Sequence, residues 1–211
     1  MTYHIYAFGS ICRGEVTPQS DIDLLAIVDG FDSRFDPHTY SIYSKQRLRE
    51  LWAEGNPFAW HLAMESKLLY ASDGMDTLSK FGAPQAYLNA EWDCQKFHLL
   101  FLDALSSITS SNASRIFDLS AMFLAVRNFA TCYMLGVQRR CNFSRDSAIQ
   151  MEEDSVPIPK STYDLLVRSR LVATRGLGDY ITSDEILGQL ETLPLVDEWM
   201  KRLRNDAFGT T

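Results

Sequence analysis

Cysteine and basic residues are scarce in this sequence, and each scarcity removes a class of protein. The 211 residues hold four cysteines, at 12, 94, 132 and 141, and no two form a CxxC pair. That spacing matches no zinc-binding pattern. Free thiols in a reducing cytoplasm are expected, with Cys94 and Cys132 packed as small apolar residues inside helical stretches. Lys and Arg total 20 against 27 Asp and Glu, a net charge of -7. Phosphate affinity comes mostly from clustered Lys and Arg, so non-specific nucleic-acid binding is disfavoured. Long apolar runs are also missing. The nearest, Leu119 to Val137, is interrupted by Arg127 and Asn128. A membrane span needs about 20 mostly apolar residues, so a buried helix is expected there and no membrane partner. Residues 1–8 lack a basic start and a long apolar core, so no signal peptide is expected and the expected location is cytoplasmic.

What is present reads as a folded chain with two characters. Hydrophobic residues make up 46% and charged residues 22%, the balance of a globular protein rather than a disordered one. Up to residue 82 the pattern mixes short strands and helices. Tyr3–Phe8, Asp21–Val28, Thr39–Tyr43 and Lys67–Ala71 read as strands, the second nearly continuous in apolar residues after its polar start. Ser44 and Gly55 bracket one helix, and 56–65 forms another. From residue 83 onward the periodicity is helical. Pro84–Ser107, Ala113–Val137, Lys160–Arg175 and Asp184–Asp206 are the expected helices, the last one kinked or split by Pro194. Leu88, Trp92, Leu99, Leu102 and Leu105 form the expected core stripe of the first of these. Thr182 and Glu185 form a capping box at the start of the last.

The chemistry concentrates in Gly9–Leu24, which reads GSICRGEVTPQSDIDL. Gly9 follows the first strand and lets the backbone approach a bulky ligand. Ser10 opens a turn or short helix whose N–H groups and hydroxyl suit a phosphate. Arg13, one turn on, can face the same anion, and Gly14 ends the turn. Asp21 and Asp23 are two apart in a strand, so both carboxylates point to one face. Side by side they repel, and a divalent cation relieves the repulsion. Mg²⁺ prefers such hard oxygen ligands together with substrate phosphates, which makes this a candidate Mg²⁺–nucleotide site.

In this order and spacing, Gly9-Ser10, Arg13-Gly14 and Ser20-Asp21-x-Asp23-Leu24 resemble the nucleotidyltransferase superfamily typified by DNA polymerase beta. They are most similar to its minimal branch, which includes kanamycin nucleotidyltransferase and the MNT antitoxins. The resemblance implies an α+β fold, with a small mixed β-sheet nucleotidyltransferase domain flanked by helices over 1–82. An all-α helical bundle, substrate-binding or HEPN-like, follows over 83–211. It implies Mg²⁺, an NTP donor such as ATP, and transfer of a nucleoside monophosphate to a hydroxyl of a small molecule, a protein or an RNA. Gly9 and Ser10 would hold the donor phosphates, Arg13 and Ser20 would support them, and Asp21 and Asp23 would bind metal and carry catalysis.

The family also uses a third carboxylate on a following strand. Thr39 occupies the aligned position and is not an acid. Glu65 is the nearest candidate substitute, and Asp36 is another. His61 is a candidate base with a structural role as its alternative. A chain without the third acid would be a catalytically impaired nucleotide-binding regulatory or antitoxin-like module. In the helical half, Arg127-Asn128 resembles the start of the HEPN motif. Cys132 stands where the ribonuclease histidine would be, and no histidine follows His98, so ribonuclease activity is not expected. Arg127, Asn128 and Thr131 form a polar stripe that either meets a ligand or, for Arg127, pairs with a buried acid. The helical half is a candidate homodimer interface.

Overall fold

Strand β1 (Tyr3–Phe8) alternates its side chains between two apolar layers, and the rest of the sheet is built on it. The computed structural model describes residues 2–15, 22–111 and 113–209. Strand β2 (Asp23–Val28) runs antiparallel to β1, with Phe8 opposite Asp23 and Tyr3 opposite Val28. Strand β3 (Tyr40–Tyr43) lies parallel to β2, and β4 (Ser66–Ala71) antiparallel to β1 on its other side. The order β3-β2-β1-β4 is the small mixed sheet of an α+β fold. Asp21 lies outside the described residues.

Period-two alternation decides which layer each side chain joins. Tyr6, Phe8, Leu25 and Ile27 point to one face. There they meet Leu48, Leu51 and Trp52 of α2 (Lys45–Ala53), Ala59 and Leu62 of α3 (Pro57–Glu65), and Leu78 of α4 (Thr77–Phe81). Ala26 and Val28 point the other way, against Phe35 from the 29–39 loop. Leu25, Leu48 and Leu62 are fully buried, each contributing about 1.5–3 kcal/mol of apolar transfer.

The helix starts follow from local chemistry. Ser44 Oγ accepts the Arg47 N–H at 3.1 Å, and Asn56 Oδ1 accepts that of Phe58 at 2.9 Å, with Pro57 at the first helical position. Helix α4 lies beyond the expected elements. Its signal is Asp76, whose Oδ1 accepts the Ser79 N–H at 3.0 Å and the Tyr6 hydroxyl at 2.8 Å.

No helix begins at Pro84. The 82–88 segment is neither helix nor strand and packs within the first unit, where Gln85 N–H reaches Trp52 O at 2.9 Å and Trp60 Nε1 reaches Gln85 O at 3.1 Å. Gly55 makes this possible: with φ +62, it sits where a Cβ would come within 2.4 Å of the Gln85 and Ala86 carbonyls. The chain divides into compact units at Met1–Leu88 and Asn89–Thr211.

The second unit is helical. Its long elements are α5 (Ala90–Ser110), α6 (Arg115–Tyr133), α7 (Lys160–Arg175), the short α8 (Ser183–Leu187) and α9 (Pro194–Phe208). Helix α6 ends in a π-helical turn, Met134–Gln138. The 115–138 stretch is long and apolar enough to cross a membrane, but 67% of its most apolar window is buried in the fold. Pro194 splits the last expected helix by opening α9. At the start of α8, Thr182 Oγ1 accepts the Glu185 N–H at 3.1 Å, while the Glu185 carboxylate takes Arg168.

The expected core stripe of α5 fails at three of its positions, while Leu102 and Leu105 are half-buried. Leu88, Trp92 and Leu99 are 80%, 70% and 52% exposed. The buried face is Ala90, Cys94, His98, Phe101, Ala104 and Ile108. Helix α5 has a second set of apolar positions at helical spacing. The face with small residues wins because Ala90, Cys94 and Ala104 let α6 come close.

Candidate active site

The site forms where β1 and β2 meet the turn at Gly9. Gly9 has φ +77, a left-handed value that side-chain-bearing residues rarely adopt. A Cβ there would come 2.6 Å from Asp23 Oδ2, so the half-buried Asp23 carboxylate occupies the space a side chain would need. Helix α1 (Ser10–Arg13) follows directly, with Ser10 partly exposed at its start and Gly14 closing it in the left-handed conformation at φ +77. Cys12 is turned inward, its thiol directed at Ala7 O at 3.4 Å. Burial pushes that thiol up, against the nearby Lys67 ammonium, which lowers it.

Arg13 is held by two carboxylates. Its Nε donates to Glu15 Oε2 at 2.9 Å, and its Nη1 donates to Glu65 Oε2 in a close contact. Glu65 ends α3 immediately before β4, and its backbone oxygen accepts the Gly9 N–H at 3.2 Å. His61, one helical turn earlier, brings Nε2 to 2.9 Å from Glu65 Oε2. The His61 ring packs edge-on against Phe8 at 5.6 Å. Burial raises the Glu65 carboxyl, but the hydrogen bond and charge of His61, with the charge of Arg13, outweigh it and leave it below the usual carboxylate range.

Gly9, Ser10, Arg13, Asp23 and Glu65 therefore gather at one end of the sheet, and Ser20 and Asp21 lie outside the described residues. The face of β2 that carries Asp23 continues onto β3 through Ser41 and Tyr43, because Leu24 pairs with Tyr40 and Leu25 with Ser41. Thr39, one step before β3, shares this alternation. None of the three is an acid. Asp36 is exposed and is used locally, its Oδ1 accepting the His38 N–H at 2.9 Å. Among the described residues no three His, Cys, Asp or Glu side chains group to hold a metal. Arg13 is the basic residue within Gly9–Leu24. Strand pairing sets Lys67 opposite Ala7, on the sheet face away from Asp23, where its charge acts on Cys12.

The polar stripe of α6 has a structural use. Arg127 Nη2 donates to Phe143 O at 2.6 Å and Nε to Ser144 O at 3.4 Å, while Thr131 Oγ1 donates to Asn142 O at 3.1 Å. These side chains satisfy backbone carbonyls of the 139–159 connection. The Asn128 side chain accepts from Arg127 Nη1 at 3.3 Å.

The glycine turn, the short helix and the strand-end carboxylate lie together at one end of the sheet. Residues 2–71 match the family model described as the nucleotidyltransferase domain. The match covers about a third of the chain, and over that part it supports the DNA polymerase beta-like nucleotidyltransferase superfamily. The match ends at the last residue of β4, before α4 and the helical unit. No curated protein matches the chain significantly.

Proposed function

We propose that this protein transfers a nucleoside monophosphate, AMP from ATP, to a hydroxyl of a small-molecule, protein or RNA acceptor. The observation that carries the reading is the Asp23 carboxylate packed against the Gly9 turn, one residue from Ser10. Gly9 lets triphosphate oxygens approach the backbone, and Ser10 offers them a hydroxyl. Arg13 and Ser20 add charge and hydrogen bonding on the leaving-phosphate side. The donor set of Asp21 and Asp23 is hard oxygen and suits Mg²⁺, which when bound supplies charge neutralisation of the phosphates. Positioning and electrostatics are most of what such a site contributes.

A second reading rests on the Asp23 face of β3, where Thr39 and Ser41 stand where an acid is expected. In that reading the protein binds Mg²⁺–NTP as a regulatory or antitoxin-like module without turnover. Both readings are tested with α-labelled NTPs, Mg²⁺ and an acceptor panel, comparing wild type with the Asp21→Ala/Asp23→Ala chain. Wild-type transfer at least about 100-fold above the double variant supports the enzyme. Nucleotide-dependent thermal stabilisation without transfer supports the binding module. No stabilisation by any NTP and no transfer would sink both.

A further inference from the structure

Resting on the nucleotide-binding reading above, we propose that Glu65 positions the phosphate-side arginine and is not the missing third metal ligand. Three contacts carry this. The Glu65 Oε2 atom already receives Arg13 Nη1 and lies 2.9 Å from His61 Nε2. The Glu65 backbone oxygen receives the Gly9 N–H at 3.2 Å. One residue thus ties both the glycine turn and the arginine of the phosphate motif to the start of β4. Ser66, the next residue, pairs with Phe8, which also pairs with Asp23.

Burial gives the tie its strength. The Glu65 and Arg13 side chains retain only 13% and 19% of their exposure, whereas Glu15, the other partner of Arg13, keeps 50%. An exposed pair contributes little and leaves a long side chain mobile. A mostly buried carboxylate with two nitrogen partners restricts Arg13 far more. His61, wedged against Phe8 and Phe58, fixes the carboxylate in turn. An oxygen that already receives the Arg13 guanidinium, with His61 Nε2 2.9 Å away, is a poor candidate for a further cation.

The test is a double-mutant cycle on the full chain, read as equilibrium affinity for Mg²⁺–ATP and for AMP. Its arms are Glu65→Gln, Arg13→Ala and the two combined, with thermal melts for each. Glutamine keeps the size of the side chain and the backbone contact to Gly9 but loses the charge. The expected result is a loss of about tenfold in Mg²⁺–ATP affinity for Glu65→Gln, little change for AMP, and no further loss when Arg13→Ala is added. The Mg²⁺ concentration giving half-maximal ATP binding stays at its wild-type value. Glu65→Asp, which shortens the reach to Arg13 but keeps a carboxylate, should behave like Glu65→Gln. A shifted Mg²⁺ requirement in Glu65→Gln, or losses that multiply in the combined variant, would overturn the positioning role in favour of metal binding. Wild type that binds Mg²⁺–ATP while Glu65→Gln binds it equally well would also overturn it. Wild type that binds no NTP would instead remove the nucleotide reading on which the role depends.

Discussion

The Asp23 carboxylate and Gly9 share one volume: a Cβ on residue 9 would sit 2.6 Å from Asp23 Oδ2. Alanine at position 9 meets two costs, the contact with Asp23 and a φ of +77. Gly9→Ala should destabilise the first unit by about 1–3 kcal/mol and displace the carboxylate. Urea titration reads the first effect, and Mg²⁺–ATP-dependent stabilisation reads the second. Wild-type values for both would show that the turn does not depend on glycine.

The register of α5 makes a sharp contrast between neighbours. Phe101 is fully buried and Leu99 is 52% exposed. Phe101→Ala should cost about 3–5 kcal/mol through the cavity it leaves, and Leu99→Ala less than about 1 kcal/mol. Chemical denaturation of the two variants measures the difference. Equal losses would mean that the leucine face is the packed one.

Arg127 holds the connection after the π-helical turn. Its guanidinium donates to the Phe143 and Ser144 carbonyls. Arg127→Ala should destabilise the helical unit by about 1.5–3 kcal/mol, since it removes charge-assisted bonds to buried carbonyls. Arg127→Lys should recover only part, because an ammonium lacks the planar fork. Nucleotide affinity should be unaffected in both. A variant that loses nucleotide binding while melting normally would return Arg127 to the functional set.

His98 gives the helical unit a pH dependence. Its Nε2 lies 2.7 Å from Asp197 Oδ1, and Arg204 Nη1 lies 3.1 Å from its Nδ1. Burial lowers the His98 pKa, and Asp197 opposes this only in part. The unfolded chain therefore binds a proton below about pH 6.5 that the folded chain resists. Stability is full above that pH and falls as pH drops through it toward the folded value. His98→Asn should lower stability at pH 7.5 and flatten the decline below about pH 6.5. Thermal melts across that range check the sign, and stability rising on acidification would refute it. Asp197 is also held below the usual carboxylate range, its burial outweighed by the bonds from Lys201 and His98. Its own loss falls at lower pH, outside this window.

Local signals were readable where neighbours in the chain decide the conformation. Strand β1, Tyr3–Phe8, is bounded by Gly9, and helix α7, Lys160–Arg175, lies between Pro159 and Gly176. The Ser44 cap and the Pro194 break follow from single side chains. Helix α5 was readable as a helix but not in its orientation. Two apolar sets lie along it, and only the approach of α6 selects the one rich in small residues.

The site divides along the same line. Its glycine turn, short helix and strand-end carboxylate lie within fifteen residues of sequence, from Gly9 to Asp23, so type and spacing alone point to phosphate and metal. Sequence by itself thus determined the α+β frame and the candidate phosphate motif, because these depend on local turn geometry and periodicity. Only the tertiary structure decided what surrounds that chemistry. Helix α3 carries His61 and Glu65 back to the Gly9 turn, and the parallel pairing of β3 sets Thr39 and Ser41 on the Asp23 side. Those contacts join residues about fifty positions apart in the case of Arg13 and Glu65. No local rule records such a distance, because it is closed by the burial of the whole sheet face.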